Sequence, residues 1–284
     1  MVGGAGIVSS MTEHDVGLAR AMHVVHDGPR PAPPLLLIHG SAASGNCWSP
    51  VVPALADHHH VVRVDLPGHG QSPPPPSYDV PAQASRVAAM LDDLGLRRLT
   101  VAAHSSGGYI ATALAEQRPD LVSSLALVST GPRPDALLRQ PALLRVLSAP
   151  PLGPLVWALR SDTMIRKGIS GAFARAVDVP DDLVADMRRI PYRTFSTVLR
   201  RNTAYIEERS VPERLATLDV PVLAIFGGAD PRWDPASAHQ YDAVPNVRVE
   251  LLPGVGHLPM LEAPEATSKL LLDFSATARR DGSP

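Results

Sequence analysis

The stretch Val101-Ala102-Ala103-His104-Ser105-Ser106-Gly107-Gly108-Tyr109 constrains this chain more than any other, because it sets a serine among small residues where an apolar strand gives way to a helix. A side chain on so sharp a strand-to-helix turn is pushed out above the sheet. The turn is sterically open only when the residues two before and two after are small. Ala103 and Gly107 hold those positions, Ala103 standing where the G-x-S-x-G pattern has its first glycine. Leu99 to Ala103 reads as a short buried strand, and Tyr109-Ile110-Ala111-Thr112-Ala113-Leu114-Ala115 as a small-residue helix able to pack close to a sheet.

A serine hydroxyl is nearly inert at neutral pH, so as a nucleophile it needs a base to take its proton and an acid to orient that base. The last third of the chain offers both. Val222-Leu223-Ala224-Ile225-Phe226 is a buried-strand pattern running into Gly227-Gly228-Ala229-Asp230-Pro231, which sets Asp230 on a loop at the strand's C-terminal edge. Val247-Arg248-Val249-Glu250-Leu251-Leu252 is another strand, followed by Pro253-Gly254-Val255-Gly256-His257. Taken singly, each residue also has an ordinary reading: Ser105 as a helix N-cap, Asp230 as a turn residue, His257 as a loop histidine.

The order Ser…Asp…His, each residue just after a strand, resembles that of the α/β-hydrolase superfamily. Two further segments carry the likeness. Leu35-Leu36-Leu37-Ile38-His39-Gly40-Ser41 is similar to the family's strand and oxyanion loop, and Asp65-Leu66-Pro67-Gly68-His69-Gly70-Gln71-Ser72 to its D-x-P-G-x-G-x-S turn. The resemblance, to capped bacterial esterases and lactonases and also to C–C bond hydrolases, implies an α/β fold with a mostly parallel central sheet flanked by helices and an inserted helical cap. It implies further that Ser105 attacks a carbonyl carbon, His257 moves the proton and Asp230 fixes the imidazole tautomer, with the backbone N–H groups of Ser41 and Ser106 receiving the oxyanion.

No cofactor and no metal are implied. The expected partner is a small-molecule substrate: an ester, lactone or thioester of a small to medium, mainly apolar molecule. C–C bond hydrolases, and lyases or cyclases of natural-product pathways, use the same residue types. A small-molecule receptor retaining the triad is the alternative of another class. Haloalkane dehalogenases and epoxide hydrolases are disfavoured, because they carry aspartate where this chain has Ser105.

Strands are expected near Arg20–Val25, Leu35–His39, Val61–Asp65, Leu99–Ala103, Leu125–Val128, Val222–Phe226 and Val247–Leu252, with helical spacing at Ser85–Leu94 and Glu262–Ala278. Such alternation builds a sheet covered on both faces, with ligands beyond the strands' carboxyl ends. From about Pro132 to Pro212 the alternation stops and proline-punctuated helical pieces begin. The expected division is therefore a core of residues 1–131 and 213–284 and a cap of 132–212. The cap is rich in large apolar residues, among them Leu143, Leu144, Leu147, Leu155, Leu159, Ile165, Phe173 and Tyr205. Trp157, Met164, Tyr192 and Phe195 are the candidates for its substrate-facing wall.

The remaining features exclude more than they suggest. His104 is expected to pack beside the sheet, His39 and His69 to order their loops, and His58-His59-His60 to form a solvated turn. Adjacent residues on an extended chain alternate sides and do not converge on one ion. The single cysteine, Cys47, excludes an internal disulfide and reads as a small buried residue. With a net charge of −2 and arginines scattered in pairs (Arg97-Arg98, Arg188-Arg189, Arg200-Arg201, Arg279-Arg280), neither a nucleic-acid surface nor a polybasic anchor is indicated.

No run approaches the roughly 20 apolar residues of a membrane span, so a cytoplasmic protein is expected, of oligomeric state the sequence leaves open. Gly3-Gly4-Ala5-Gly6 has no strand before it and is not a nucleotide loop. Pro73-Pro74-Pro75-Pro76 is a stiff loop.

Overall fold

The computed structural model describes residues 22–281 apart from 140, 143–146 and 148. The expectations for Gly3-Gly4-Ala5-Gly6, Arg20, Leu143 and Leu144 lie outside the described residues, as do the side chains of Arg279 and Arg280.

Seven strands, β1 (Val24–Asp27), β2 (Pro34–Ile38), β3 (His60–Val64), β4 (Leu99–His104), β5 (Val122–Val128), β6 (Val222–Gly227) and β7 (Val247–Leu252), form one sheet. Its order is β1-β3-β2-β4-β5-β6-β7. Only β1 runs antiparallel to its neighbour; every other pairing is parallel. The unbroken apolar runs of β2 and β6 follow from burial on both faces, which leaves no position for a polar alternation.

Successive side chains divide between two cores. Leu36, Ile38, Val62, Val101, Ala103, Leu125 and Phe226 face one side, against α2 (Val80–Asp93) and α3 (Gly107–Gln117). Leu35, Leu37, Val61, Ala102, Ala126 and Ile225 face the other, against Trp48, α1 (Val52–Ala56) and Leu271 and Phe274 of the C-terminal helix.

Three expectations are corrected. The first strand begins at Val24 and ends at Asp27, because its register with β3 runs from Val24↔Val64 to Asp27↔Val61 and Gly28, at φ +75°, turns the chain away. His59 and His60 are buried rather than solvated: His59 Nε2 lies 2.9 Å from Ser275 Oγ, and His60 stacks on His26. The C-terminal helical segment is two helices, since Pro264 drives Ala263 out of helical geometry (φ −148°, ψ 58°).

The residues between β5 and β6 form α4 (Leu152–Ala158), α5 (Asp162–Ser170), α6 (Asp181–Arg189), α7 (Tyr192–Glu208) and α8 (Val211–Leu215). Beyond β7 come α9 (Pro259–Glu262) and α10 (Pro264–Asp281). The insertion has a small core of its own, Ile165, Val179 and Val184. Its entry and exit meet where the Val211 N–H donates to the Pro132 carbonyl at 3.0 Å. Its large apolar residues divide: Tyr205 is buried, whereas Leu159 is 71% exposed and Met164 51%. Among the described residues no helix is long and apolar enough to cross a membrane.

Candidate functional site

β4 ends at His104 and Ser105 takes φ +50°, a left-handed conformation that costs a non-glycine residue about 1–2 kcal/mol. Neighbouring hydrogen bonds hold it there. The Ser105 N–H donates to the Val128 carbonyl at 2.8 Å, and the Ser105 carbonyl accepts from Thr130 Oγ1 at 3.0 Å. Gly107 makes the turn sterically accessible, because a Cβ there would stand 2.4 Å from the His39 carbonyl oxygen. The serine thus projects at the C-terminal edge of the sheet, at the head of α3.

Two loops bring its partners. Where β6 ends, Gly227 passes so close to the loop after β7 that an added Cβ would lie 2.0 Å from the Gly256 carbonyl oxygen. Short backbone bonds tie the loops together: Gly228 N–H to Leu252 O at 2.8 Å and Ala229 N–H to Val255 O at 2.9 Å. Asp230 and His257 consequently meet. Asp230 Oδ2 is 2.8 Å from His257 Nδ1, and His257 Nε2 is 3.1 Å from Ser105 Oγ.

Asp230 is 3% and His257 4% exposed. The other carboxylate oxygen, Oδ1, accepts from the backbone N–H groups of Arg232 (2.7 Å) and Trp233 (3.2 Å), which fixes its plane. An ionised carboxylate only accepts, so Nδ1 carries the imidazole proton and the Nε2 lone pair faces the Ser105 hydroxyl.

The neighbouring histidines stay neutral. Burial, and then the nearby His257, holds His104 well below the usual imidazole range; its Nε2–H donates to the His257 carbonyl at 2.9 Å. Burial also lowers His39, whose Nε2 accepts from the Leu66 N–H at 2.8 Å and so ties the loop after β2 to the loop after β3. His69 is pushed down to about 3 by burial and by His39 beside it. Burial drives the fully buried Cys47 thiol up, which keeps it protonated.

The loop after β2 lies next to the serine because β2 and β4 are neighbours at the point where the strand order reverses, the usual ligand position in an open parallel sheet. Here the Ser41 N–H donates to Ser106 Oγ at 2.8 Å, and the two hydroxyls are 2.8 Å apart. Asn202, on α7, donates from Nδ2 to Ser41 Oγ at 3.1 Å, while its buried Oδ1 has no partner. Nothing in a single sequence marks Asn202, which is one polar residue on a helix 161 positions from Ser41.

Trp157, Tyr192 and Phe195 gather into one aromatic group, with Trp157 stacked on Phe195 at 4.5 Å and edge-on to Tyr192 at 6.2 Å. The indole N–H donates to the Ile190 carbonyl, while Met164 stands half-exposed on α5. Among the described residues no group of three potential metal ligands exists.

A model of the alpha/beta hydrolase family matches residues 35–270, most of the chain and all three loops just described. The chain belongs to the alpha/beta hydrolase family. This hydrolase is 30% identical over 241 residues to a pimeloyl-[acyl-carrier protein] methyl ester esterase of Neisseria meningitidis serogroup C, covering 84% of the chain and 91% of the relative. A Bacillus subtilis (strain 168) protein provisionally named 2-succinyl-6-hydroxy-2,4-cyclohexadiene-1-carboxylate synthase is 26% identical over 269 residues, covering 88% of the chain and 93% of the relative. Among solved structures, a membrane phospholipase A described as a bacterial virulence factor superposes on this hydrolase with a TM-score of 0.73 at 29% identity, covering 94% of this chain and 89% of that one.

Proposed function

We propose that this hydrolase cleaves an ester, lactone or thioester of a small to medium, mainly apolar molecule through a Ser105–His257–Asp230 triad and an acyl-enzyme. The observation that carries the reading is the continuous chain of contacts from Ser105 Oγ to His257 Nε2 (3.1 Å) and from His257 Nδ1 to Asp230 Oδ2 (2.8 Å). His257 takes the Ser105 proton as the oxygen attacks the carbonyl carbon, then passes it to the leaving alcohol or thiol. Asp230 stabilises the imidazolium formed in between. The oxyanion is received by the Ser41 and Ser106 N–H groups, once the carbonyl oxygen has displaced Ser106 Oγ from the former. Water, deprotonated by His257, then releases the acid.

Residues 132–212 serve as a cap over this edge of the sheet, and the Trp157–Tyr192–Phe195 group supplies part of its apolar interior. Asn202 is the cap residue that reaches the oxyanion loop. Exposure of wild type and Ser105→Ala to a fluorophosphonate, read by intact-protein mass, tests the reading alongside a panel of short- and medium-chain p-nitrophenyl esters. Labelling and turnover by the wild type alone are expected; an active Ser105→Ala enzyme overturns the covalent mechanism. The likeness to the Bacillus subtilis synthase favours one second reading, a lyase on a natural-product intermediate. It would release product without taking up solvent oxygen, which turnover in H₂¹⁸O distinguishes.

A further inference from the structure

We propose that Glu262 is a positioning residue for His257, and that through it the cap takes part in holding the histidine in place; the proposal rests on the triad reading above. Glu262 closes α9 with its side chain turned inward, 6% exposed. Its Oε2 accepts three backbone N–H groups: Gly256 at 2.8 Å, Ala174 at 2.8 Å and Arg175 at 3.1 Å. Its Oε1 accepts a fourth, from Leu258 at 3.2 Å. Gly256 and Leu258 are the two residues flanking His257, while Ala174 and Arg175 belong to the cap.

The backbone polar groups of His257 itself are held as firmly. The His257 N–H donates to the cap carbonyl of Ala172 at 2.8 Å, and the His257 carbonyl accepts from His104 Nε2 at 2.9 Å. The backbone on either side of the imidazole is thus clamped by one carboxylate, one cap carbonyl and the residue preceding the nucleophile. The clamp has no slack, since a Cβ on Gly256 would stand 2.5 Å from the Ala174 nitrogen and 2.8 Å from both Ala172 O and Glu262 Oε1. Outside it, the exposed Arg175 side chain donates to the carbonyls of Pro253, Gly254 and Glu262, binding the cap to the loop a second time.

A carboxylate is what this convergence of four donors requires, because it only accepts and its bonds to N–H groups are about twice as strong as neutral ones. A glutamine cannot reproduce them. With its single oxygen turned to the three donors on the Oε2 side, its NH₂ faces the Leu258 N–H, donor against donor. The loop then relaxes on the C-terminal side of His257, and a displacement of about 1 Å in a reacting group costs on the order of 100-fold in rate.

The test is Glu262→Gln in the full-length protein. We expect the second-order rate of fluorophosphonate labelling at Ser105 to fall about 10- to 100-fold, kcat to fall with it and KM to stay within about threefold of wild type. The low-field proton resonance of the His257 Nδ1–H bonded to Asp230 should also shift or broaden. A folded variant with wild-type labelling and an unmoved resonance overturns the proposal, even if its melting temperature is lower. Should Glu262→Gln not fold, Glu262→Asp, which keeps the carboxylate but draws it back by one methylene, decides: labelling slowed about threefold or more supports the role of Glu262, and an unchanged rate overturns it. If wild-type Ser105 is never labelled, the hydrolase reading has failed, and the His257 resonance alone decides for or against the role of Glu262.

Discussion

The Ser41 amide donates to the Ser106 hydroxyl across 2.8 Å, so the side chain of the residue after the proposed nucleophile occupies a donor that the proposed mechanism assigns to the carbonyl oxygen. Such a bond is worth about 1 kcal/mol net, and its displacement is charged to the reaction. Ser106→Ala should therefore raise kcat/KM by up to about fivefold on p-nitrophenyl esters. A tenfold loss would instead make the hydroxyl a donor to the oxyanion.

The Asp230 carboxylate dictates which imidazole nitrogen is protonated. An amide in its place can present its NH₂ to Nδ1 and reverse the tautomer, leaving Nε2 unable to accept from Ser105. For Asp230→Asn a loss in kcat of about 10⁴ is expected, with the fold retained. Steady-state kinetics and circular dichroism check this, and a loss below about 100-fold would refute it.

Asn202 makes one useful hydrogen bond and buries one orphaned oxygen. An unsatisfied buried acceptor costs about 1–3 kcal/mol, as much as or more than the Nδ2 bond returns. Asn202→Leu, similar in size and without polar atoms, should leave the melting temperature equal or higher. It should lower kcat/KM about fivefold by freeing the loop after β2, and a marked drop in melting temperature would contradict this balance.

Gly107→Ala places a methyl 2.4 Å from the His39 carbonyl oxygen and 3.0 Å from that of Ile38, both backbone atoms at the end of β2. Neither can swing aside as a side chain would. Overpacking of this kind costs about 1–3 kcal/mol, so a melting temperature lower by several degrees and fluorophosphonate labelling slower by at least about tenfold are expected together.

His39, His69 and His104 have folded-state pKa values below the ordinary imidazole value, chiefly through burial. Above about pH 6.5 both folded and unfolded chains carry them neutral, and they do not affect stability. As the pH falls below that value the unfolded chain takes up protons that the folded one refuses, and each histidine removes up to about 1.4 kcal/mol of stability per pH unit. For His69 this continues to about pH 3. Melting temperature should be level from pH 7 to 8 and fall steeply between pH 6.5 and 5; a level course through that window would be inconsistent with neutral burial.

The sheet was legible because parallel strands buried on both faces leave long apolar runs, as in Leu35-Leu36-Leu37-Ile38 and Val222-Leu223-Ala224-Ile225-Phe226. The loops carrying Ser105, Asp230 and His257 were legible because tight turns demand glycine at fixed offsets. Contacts made by ordinary polar residues across long separations were not. Asn202 on Ser41 and Glu262 on Ala174 have no local signature, since their partners are set by how α7 and the 172–175 segment lie on the sheet. His59 is alike: the partners of its ring, Ser275 Oγ on α10 and the Pro33 carbonyl, come from segments far from it in sequence. The bounds of the first strand are poorly marked in the sequence because an edge strand half-buried throughout has little apolar pattern, and its register comes from β3.

The bond between Val211 and Pro132 makes residues 132–211 a closed detour whose two ends occupy a single spot on the sheet. Lengthening or shortening such a detour adds little loop-closure entropy, about 0.6 kcal/mol per doubling. The strands and glycine turns that assemble Ser105, Asp230 and His257 lie wholly outside it. On the proposed reading, the three reacting side chains therefore lie outside this detour, while the detour supplies some of the contacts that hold them. A graft of a foreign segment across this junction would keep the proposed triad in place, provided that it also brings an acceptor for the His257 N–H, two amides for Glu262 and a donor for the Ser41 hydroxyl.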